Sequence, residues 1–280
     1  MKANIGIRAH DMEKMSLQQL PKAIAEKGLS SVQLAIAKSF PELYPEPGAL
    51  TPGLAHHLKQ SFAQHNIKIA VLGCYINMIH PDKNERTKQL EKFKEHLRYA
   101  RDLGCSIVGT ETGSVIPELG YTEDNFGEAP YEEVVESVRE LVAEAEKFGV
   151  IVGIEGGINH PIHTPQRMKR LLDDISSNHL QVIYDPANFI SPENFTEQEK
   201  VIDEAMSLFG DRIVVLHAKD FVVEDGQIVM VPVGSGLLNY DAVFRQLKKR
   251  KPYINILMES TKEPHITNSI AFLQEKYELA

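Results

Sequence analysis

The 280-residue chain is poor in cysteine, in basic charge and in long apolar runs, and each deficit removes a class of protein. Two cysteines, Cys74 and Cys105, make no disulfide framework. Each lies in an apolar stretch, where a buried, unreactive thiol is expected. Lys plus Arg number 30 against 39 Asp plus Glu, a formal net charge of −9. A uniformly acidic chain grips phosphate backbones poorly, so nucleic acid is not an expected partner. The longest apolar run, Ile69 to Ile76, falls far short of a membrane span. Residues 1–11 carry no apolar core followed by small residues, so no secretory signal is expected. Glycine-rich phosphate loops are missing as well: Gly153, Gly156 and Gly157 do not have the spacing of a dinucleotide-binding turn. These absences point to a cytoplasmic protein with neither membrane nor nucleic acid as partner.

What is present is a repeated junction: an amphipathic run, a glycine, then a short apolar run. It occurs at Leu103-Gly104-Cys105, Phe148-Gly149-Val150 and Phe209-Gly210-Asp211, and more weakly at Lys27-Gly28-Leu29. Glycine just past a helix is the favoured left-handed cap, so each copy predicts a helix end followed by a strand. Leu90, Phe93, Leu97 and Ala100 share one helical face, as do Val134, Val138, Leu141, Val142 and Ala145. Thr51-Pro52 and Thr164-Pro165 each place a capping hydroxyl before a proline that suits a first helical turn. Eight strands are predicted, near 3–8, 31–36, 67–74, 106–111, 150–155, 180–184, 212–217 and 254–259, each followed by a helical segment. Alternation implies parallel pairing. Eight repeats use the whole chain, so a single-domain α/β (β/α)₈ TIM barrel spanning 1–280 is expected, with an open doubly wound sheet as the alternative.

The chemistry gathers where the last four strands end. Glu155, Asp185, His217 and Glu259 close these strands at separations of 30, 32 and 42 residues, each about one repeat. In a parallel barrel all strand C-termini lie on one face, so the four would converge at the mouth. At the ~4 Å separations of a shared site the three carboxylates repel one another unless a cation joins them. One divalent metal ion is therefore expected, and the oxygen-rich set with one imidazole suits Mn²⁺, Mg²⁺, Co²⁺ or Zn²⁺. Taken singly, each residue has a plainer explanation. Asp185 before Pro186 is also a good helix cap, and a lone strand-end histidine is usually structural.

The order Glu, Asp, His, Glu on the fifth to eighth strands resembles the xylose-isomerase-like barrel superfamily, in its sugar phosphate isomerase/epimerase branch. The local wording is similar too: Ile154-Glu155, Asp185-Pro186-Ala187-Asn188, His217-Ala218-Lys219-Asp220, Met258-Glu259 and the segment Val231-Pro232-Val233-Gly234-Ser235-Gly236. The resemblance implies that Glu155, Asp185, His217 and Glu259 hold one metal, with Glu155 and Glu259 doubling as acid and base. It implies an isomerase or epimerase that acts on a small sugar, sugar phosphate or inosose through an enediolate. A dehydratase of a cyclic polyol ketone is the alternative, with a non-catalytic sugar-binding barrel and an apurinic-site endonuclease relative behind it. The endonuclease branch needs further histidines where this chain has Asn188, Glu111 and Val222. The best-known ketose 3-epimerases place a histidine and an arginine where this chain has Asn188 and Val223. Relatives often form dimers or tetramers, so a homo-oligomer is an expectation of the resemblance alone.

Lys219, Asn188, Glu111 and His160 are the expected substrate contacts. Lys219 lies two residues beyond His217 and so on the same side of a strand. Asn188 follows the Asp185-Pro186 turn, Glu111 ends the fourth strand, and His160 lies in the loop after Glu155. A packing or surface role is expected for His10, a place along the pocket for His80, and an apolar lid or a plain loop tip for Tyr121 and Phe126. His56 and His57 are expected at the surface.

Overall fold

The computed structural model describes residues 2–280, so Met1 of the expected 1–280 domain lies outside the described residues. In chain order the elements are β1 (Asn4–Arg8), α1 (Leu20–Glu26), β2 (Ser31–Leu34), α2 (Ile36–Ser39), α3 (Pro52–Ala63) and β3 (Lys68–Gly73). There follow α4 (Lys83–Tyr99), β4 (Ile107–Glu111), α5 (Glu128–Phe148), β5 (Ile151–Glu155), α6 (Pro165–Ile175), β6 (Leu180–Tyr184) and α7 (Gln198–Phe209). The chain closes with β7 (Ile213–Ala218), β8 (Asp220–Glu224), β9 (Gln227–Val231), α8 (Tyr240–Arg250), β10 (Asn255–Met258) and α9 (Ile266–Leu279). Strands β1 to β7 pair in sequence, all parallel, and β10 closes the barrel between β7 and β1. The expected single-domain (β/α)₈ TIM barrel is the observed fold.

Each expected strand lies within two residues of an observed one. One departure is topological: the chain does not pass directly from β7 into a helix. It first makes the antiparallel hairpin β8–β9, turning at Asp225 (φ 49°) and Gly226 (φ 74°). Two residues with positive φ form the tight turn whose twist matches paired strands, and Asp-Gly is a favoured pair for it.

The helix ends follow local chemistry. Thr51 Oγ1 accepts from Leu54 N at 3.1 Å, and Thr164 Oγ1 from Arg167 N at 3.2 Å, capping α3 and α6 as expected. Gly149 ends α5 in the left-handed conformation (φ 60°). Gly210 departs from the expectation: its φ is −53°, and the chain runs on as a 3-10 turn over Gly210–Arg212 before β7. A Cβ here would lie 3.3 Å from the guanidinium of the exposed Arg250, a close approach that the flexible side chain can relieve.

Two apolar layers hold the barrel. The larger packs the helices on the outside of the sheet and includes the expected faces of α4 and α5. The smaller fills the lumen with Val71, Ile107, Ile183, Val215 and Leu257. Ile183 fits because β4 and β5 present glycines to it. An added Cβ would lie 2.6 Å from its Cδ1 at Gly109 and 2.9 Å at Gly153. This plug floors the cavity, so polar groups beyond it face only the C-terminal mouth.

Candidate metal centre

Glu155 is the last residue of β5, Asp185 directly follows β6, His217 is the last residue but one of β7, and Glu259 directly follows β10. Parallel pairing puts all four at one mouth, and each is at most 2% exposed. One donor atom from each lies within 4.8 Å of the others. His217 Nδ1 is 3.1 Å from Glu155 Oε2 and 3.5 Å from Glu259 Oε1. The Lys219 ammonium enters the same cluster, 2.8 Å from Glu259 Oε2, 3.0 Å from Asp185 Oδ2 and 3.7 Å from Glu155 Oε1. The cluster is thus a cation-binding arrangement by its own internal contacts.

The donor set fits a metal ion. His217 Nδ1 and Asp185 Oδ2 are buried without an aligned hydrogen bond, an expensive condition that a shared metal ion would relieve beyond the Lys219 contact to Oδ2. Asp185 serves both as a turn cap and as a donor to the cluster. Its Oδ1 accepts from Ala187 N at 3.0 Å and caps the 3-10 turn Pro186–Phe189, which leaves Oδ2 facing the cluster.

The surrounding residues fix how these donors point. Gln33, buried in β2, accepts from His217 Nε2 through its Oε1 at 2.7 Å, so that nitrogen carries the proton and Nδ1 is turned to the cluster. The Gln33 amide donates in turn to Tyr75 Oη, which sets the amide's orientation. Asn188 donates from Nδ2 to Glu155 Oε1 at 2.7 Å and accepts from Lys219 Nζ at 3.1 Å. Arg8, the last residue of β1, holds Asp11 through two nitrogens at 2.8 and 3.0 Å and places Nη1 3.2 Å from Glu259 Oε1. Asp11 also accepts from Ser260 N at 3.0 Å, tying the loops after β1 and β10 together.

Electrostatics separate the carboxyl groups. Burial, aided by Glu155 and Glu259, outweighs the Lys219 and His217 charges and pushes Asp185 up to about 6. Burial acts the same way on Glu259, but Lys219, His217 and Arg8 overcome it and hold this carboxylate well below its ordinary range. Burial pulls His217 down, yet Glu155, Glu259 and Asp185 outweigh it and raise the imidazole to about 9.

The remaining expected residues divide. Glu111 stands in register with Glu155 on the neighbouring strand, and His160 Nε2 is 3.7 Å from its Oε2. His160 Nδ1 lies 2.8 Å from the Gly113 carbonyl, so it donates there and Nε2 faces Glu111. His80 turns to its own loop, where Nδ1 accepts from Asp82 N at 3.1 Å just before α4. Phe126 packs between Tyr121 and His163, with ring centroids 5.9 and 4.3 Å away, while Tyr121 is itself exposed. His56 and His57 are exposed on α3. Cys74 and Cys105 are buried, and burial pushes their thiols up to about 12 and about 11. Asp220 explains why the His217–Asp220 and Val231–Gly236 segments occur together. Its Oδ2 accepts from Gly234 N and Gly236 N at 2.9 and 3.0 Å, and its Oδ1 from Leu238 N at 3.0 Å.

Sequence reasoning did not single out Gln33, Tyr75 or Arg8. Arg8 ends a strand and so obeys the rule that found the four donors. Gln33 is a lone amide inside an apolar strand, a buried-polar signal. Tyr75 lies two residues beyond β3, and nothing local marks it.

A family model described as xylose isomerase-like TIM barrel matches residues 21–276. No curated protein matches the chain in sequence. Among solved structures, a D-tagatose 3-epimerase-like protein is 19% identical at a TM-score of 0.75, covering 100% of this chain and 98% of its own. The IOLI protein with a binding zinc atom is 16% identical at 0.74, covering 100% and 96%. The probable 3-DHS dehydratase AsbF from Bacillus anthracis, involved in petrobactin synthesis, is 15% identical at 0.74, covering 98% of each chain. At these identities the likeness is one of fold.

Proposed function

The chain belongs to the xylose isomerase-like TIM barrel family, and on that premise we propose a metal-dependent isomerase or epimerase acting on a small carbohydrate through an enediolate. The observation that carries this reading is the convergence of Glu155, Asp185, His217 and Glu259, buried, at one barrel mouth within 4.8 Å. These four would hold one divalent cation, Mn²⁺, Mg²⁺, Co²⁺ or Zn²⁺ by the chemistry of the donors. Such a cation polarises a carbonyl and its neighbouring hydroxyl, which acidifies the C–H between them.

The protein's own groups supply the proton traffic. Glu259, kept ionised by Lys219, His217 and Arg8, is suited to accept a proton from carbon. Glu155 comes from the strand on the other side of β6 and β7, and its Oε1 is steered by Asn188. Two carboxylates on opposite sides of a substrate meet the demand of an epimerisation: removal of a proton from one face and return to the other. Lys219 and Asn188, which contact both the cluster and each other, would orient substrate hydroxyls. Among known proteins, a D-tagatose 3-epimerase-like structure and a zinc-binding one share the fold.

The dehydratase reading is favoured by the Glu111–His160 pair beside Glu155. Burial opposes protonation of His160, but Glu111 raises it, which favours the protonated form that a departing hydroxide would need. A probable dehydratase shares the fold. Incubation of Mn²⁺-loaded protein with ketoses, ketose phosphates and inososes in D₂O separates the readings. Deuterium uptake without change in the carbon skeleton supports the isomerase class, and growth of enone absorbance supports the lyase. Neither, together with Asp185→Asn and His217→Ala variants that hold as much metal as the parent, refutes the proposed site.

A further inference from the structure

Among the described residues near the cluster, Lys38 is a cation that the carboxylates leave unpaired. Arg8 is committed to Asp11 and Glu259, and Lys219 to Glu155, Asp185 and Glu259. Lys38, on α2 just past the C-terminal end of β2, is exposed and forms no ion pair among the described residues. Its Nζ instead lies 4.4 Å from the centroid of the Tyr75 ring. Tyr75 is bonded to Gln33, and Gln33 to His217, so the lysine stands two residues away from a metal-cluster side chain. The surroundings register its charge. Burial first, then Arg8 and Lys38, press His10 down to about 4, so that imidazole is neutral and adds no competing cation.

From this arrangement we infer that Lys38, seated on the Tyr75 ring, is the anchor of a subsite for an anionic substrate group, a phosphate ester or a carboxylate. The inference deepens the proposed carbohydrate chemistry and rests on it for the identity of the substrate. An aromatic face holds the ammonium in place without neutralising it, so its full charge stays available to a ligand. An acidic protein that draws an anionic substrate toward three buried carboxylates needs such a charge at the entrance. Exposure keeps Lys38 within reach of an incoming ligand.

Calorimetric titration of the full-length protein with inorganic phosphate and, separately, with D-ribonate tests the subsite. At least one anion is expected to bind, more weakly as salt is raised, and Lys38→Met is expected to weaken it on the order of tenfold. Lys38→Arg is expected to restore most of the affinity. Tighter binding of phosphate assigns the subsite to a phosphate ester; tighter binding of D-ribonate assigns it to a carboxylate. Metal content and melting temperature should match the parent in both variants, because Lys38 is exposed and pairs with no carboxylate. No binding of either anion, or equal binding by parent and Lys38→Met protein, overturns the inference. Because neither measurement involves turnover, failure of deuterium exchange would count against the enzymatic reading and leave the anion result standing.

Discussion

Replacing Gln33 with leucine removes the group that holds the only imidazole of the proposed metal centre. Leucine nearly conserves volume in the buried β2 position, so the change is chiefly the loss of a 2.7 Å hydrogen bond from His217 Nε2. Two effects follow. A buried N–H left unpaired costs about 1–3 kcal/mol of stability. The imidazole also loses the constraint that turns Nδ1 toward Glu155 and Glu259, and removal of such an outer partner typically weakens metal binding by about 10–100-fold. At 1.4 kcal/mol per tenfold, that is about 1.4–2.8 kcal/mol of binding free energy. Competition for Mn²⁺ or Zn²⁺ against a chromophoric chelator measures it directly. Gln33→Glu keeps an acceptor opposite Nε2 and should retain most of the affinity. Tyr75→Phe removes the acceptor of the Gln33 amide but not the Gln33–His217 bond, and should cost less than Gln33→Leu. If Gln33→Leu binds metal within twofold of the parent while Asp185→Asn has lost it, then Gln33 does not orient the ligand and the assignment of Nδ1 as donor is wrong.

Other parts of the structure make separate demands. His96 is buried in α4 with a folded pKa of about 4, driven down by burial first, against an ordinary value of 6.5. The unfolded chain therefore takes up the proton first. Stability due to this group is complete above pH 6.5 and is lost as pH falls toward 4, by about 3 kcal/mol in all. Urea unfolding of His96→Gln should show a correspondingly smaller loss over that window, and an unchanged pH dependence would refute the assignment. Glu95 accepts from Tyr44 Oη at 2.7 Å and from Gly48 N and Leu50 N at 3.0 Å, pinning the loop between α2 and α3. Glu95→Ala strands these donors and should cost about 3 kcal/mol, with the loop becoming the first site of limited proteolysis. In the lumen, Gly153→Ala places a methyl against Ile183 and should cost about 1–3 kcal/mol. Adding Ile183→Ala should recover part of that loss, and strict additivity in the double-mutant cycle would show that the two side chains do not meet.

The parts of the molecule legible in the sequence are those where one residue's neighbours along the chain decide its role. Thr51 and Thr164 cap helices because the amides they bond are three residues away. The strand ends at Glu155, Asp185, His217 and Glu259 could be aligned because a parallel barrel turns an equal position on each strand into one place in space. The same logic extends to Arg8 at the end of β1 and to the Asp225-Gly226 hairpin turn. Gln33 is different in kind. Its partner is 184 residues away, and whether a strand amide meets an imidazole or stays unsatisfied depends on the stagger of strands around the closed barrel. Asp220 shows the same limit from the other side. Its wording in His217–Asp220 reads as part of the site, yet both carboxylate oxygens are consumed by the backbone of residues 221–238. A carboxylate so engaged has little capacity left for a metal or a substrate. Motif resemblance therefore marks Lys219 and Asp220 alike, and only the count of occupied lone pairs separates the residue facing the chemistry from the residue that shapes the loop beside it.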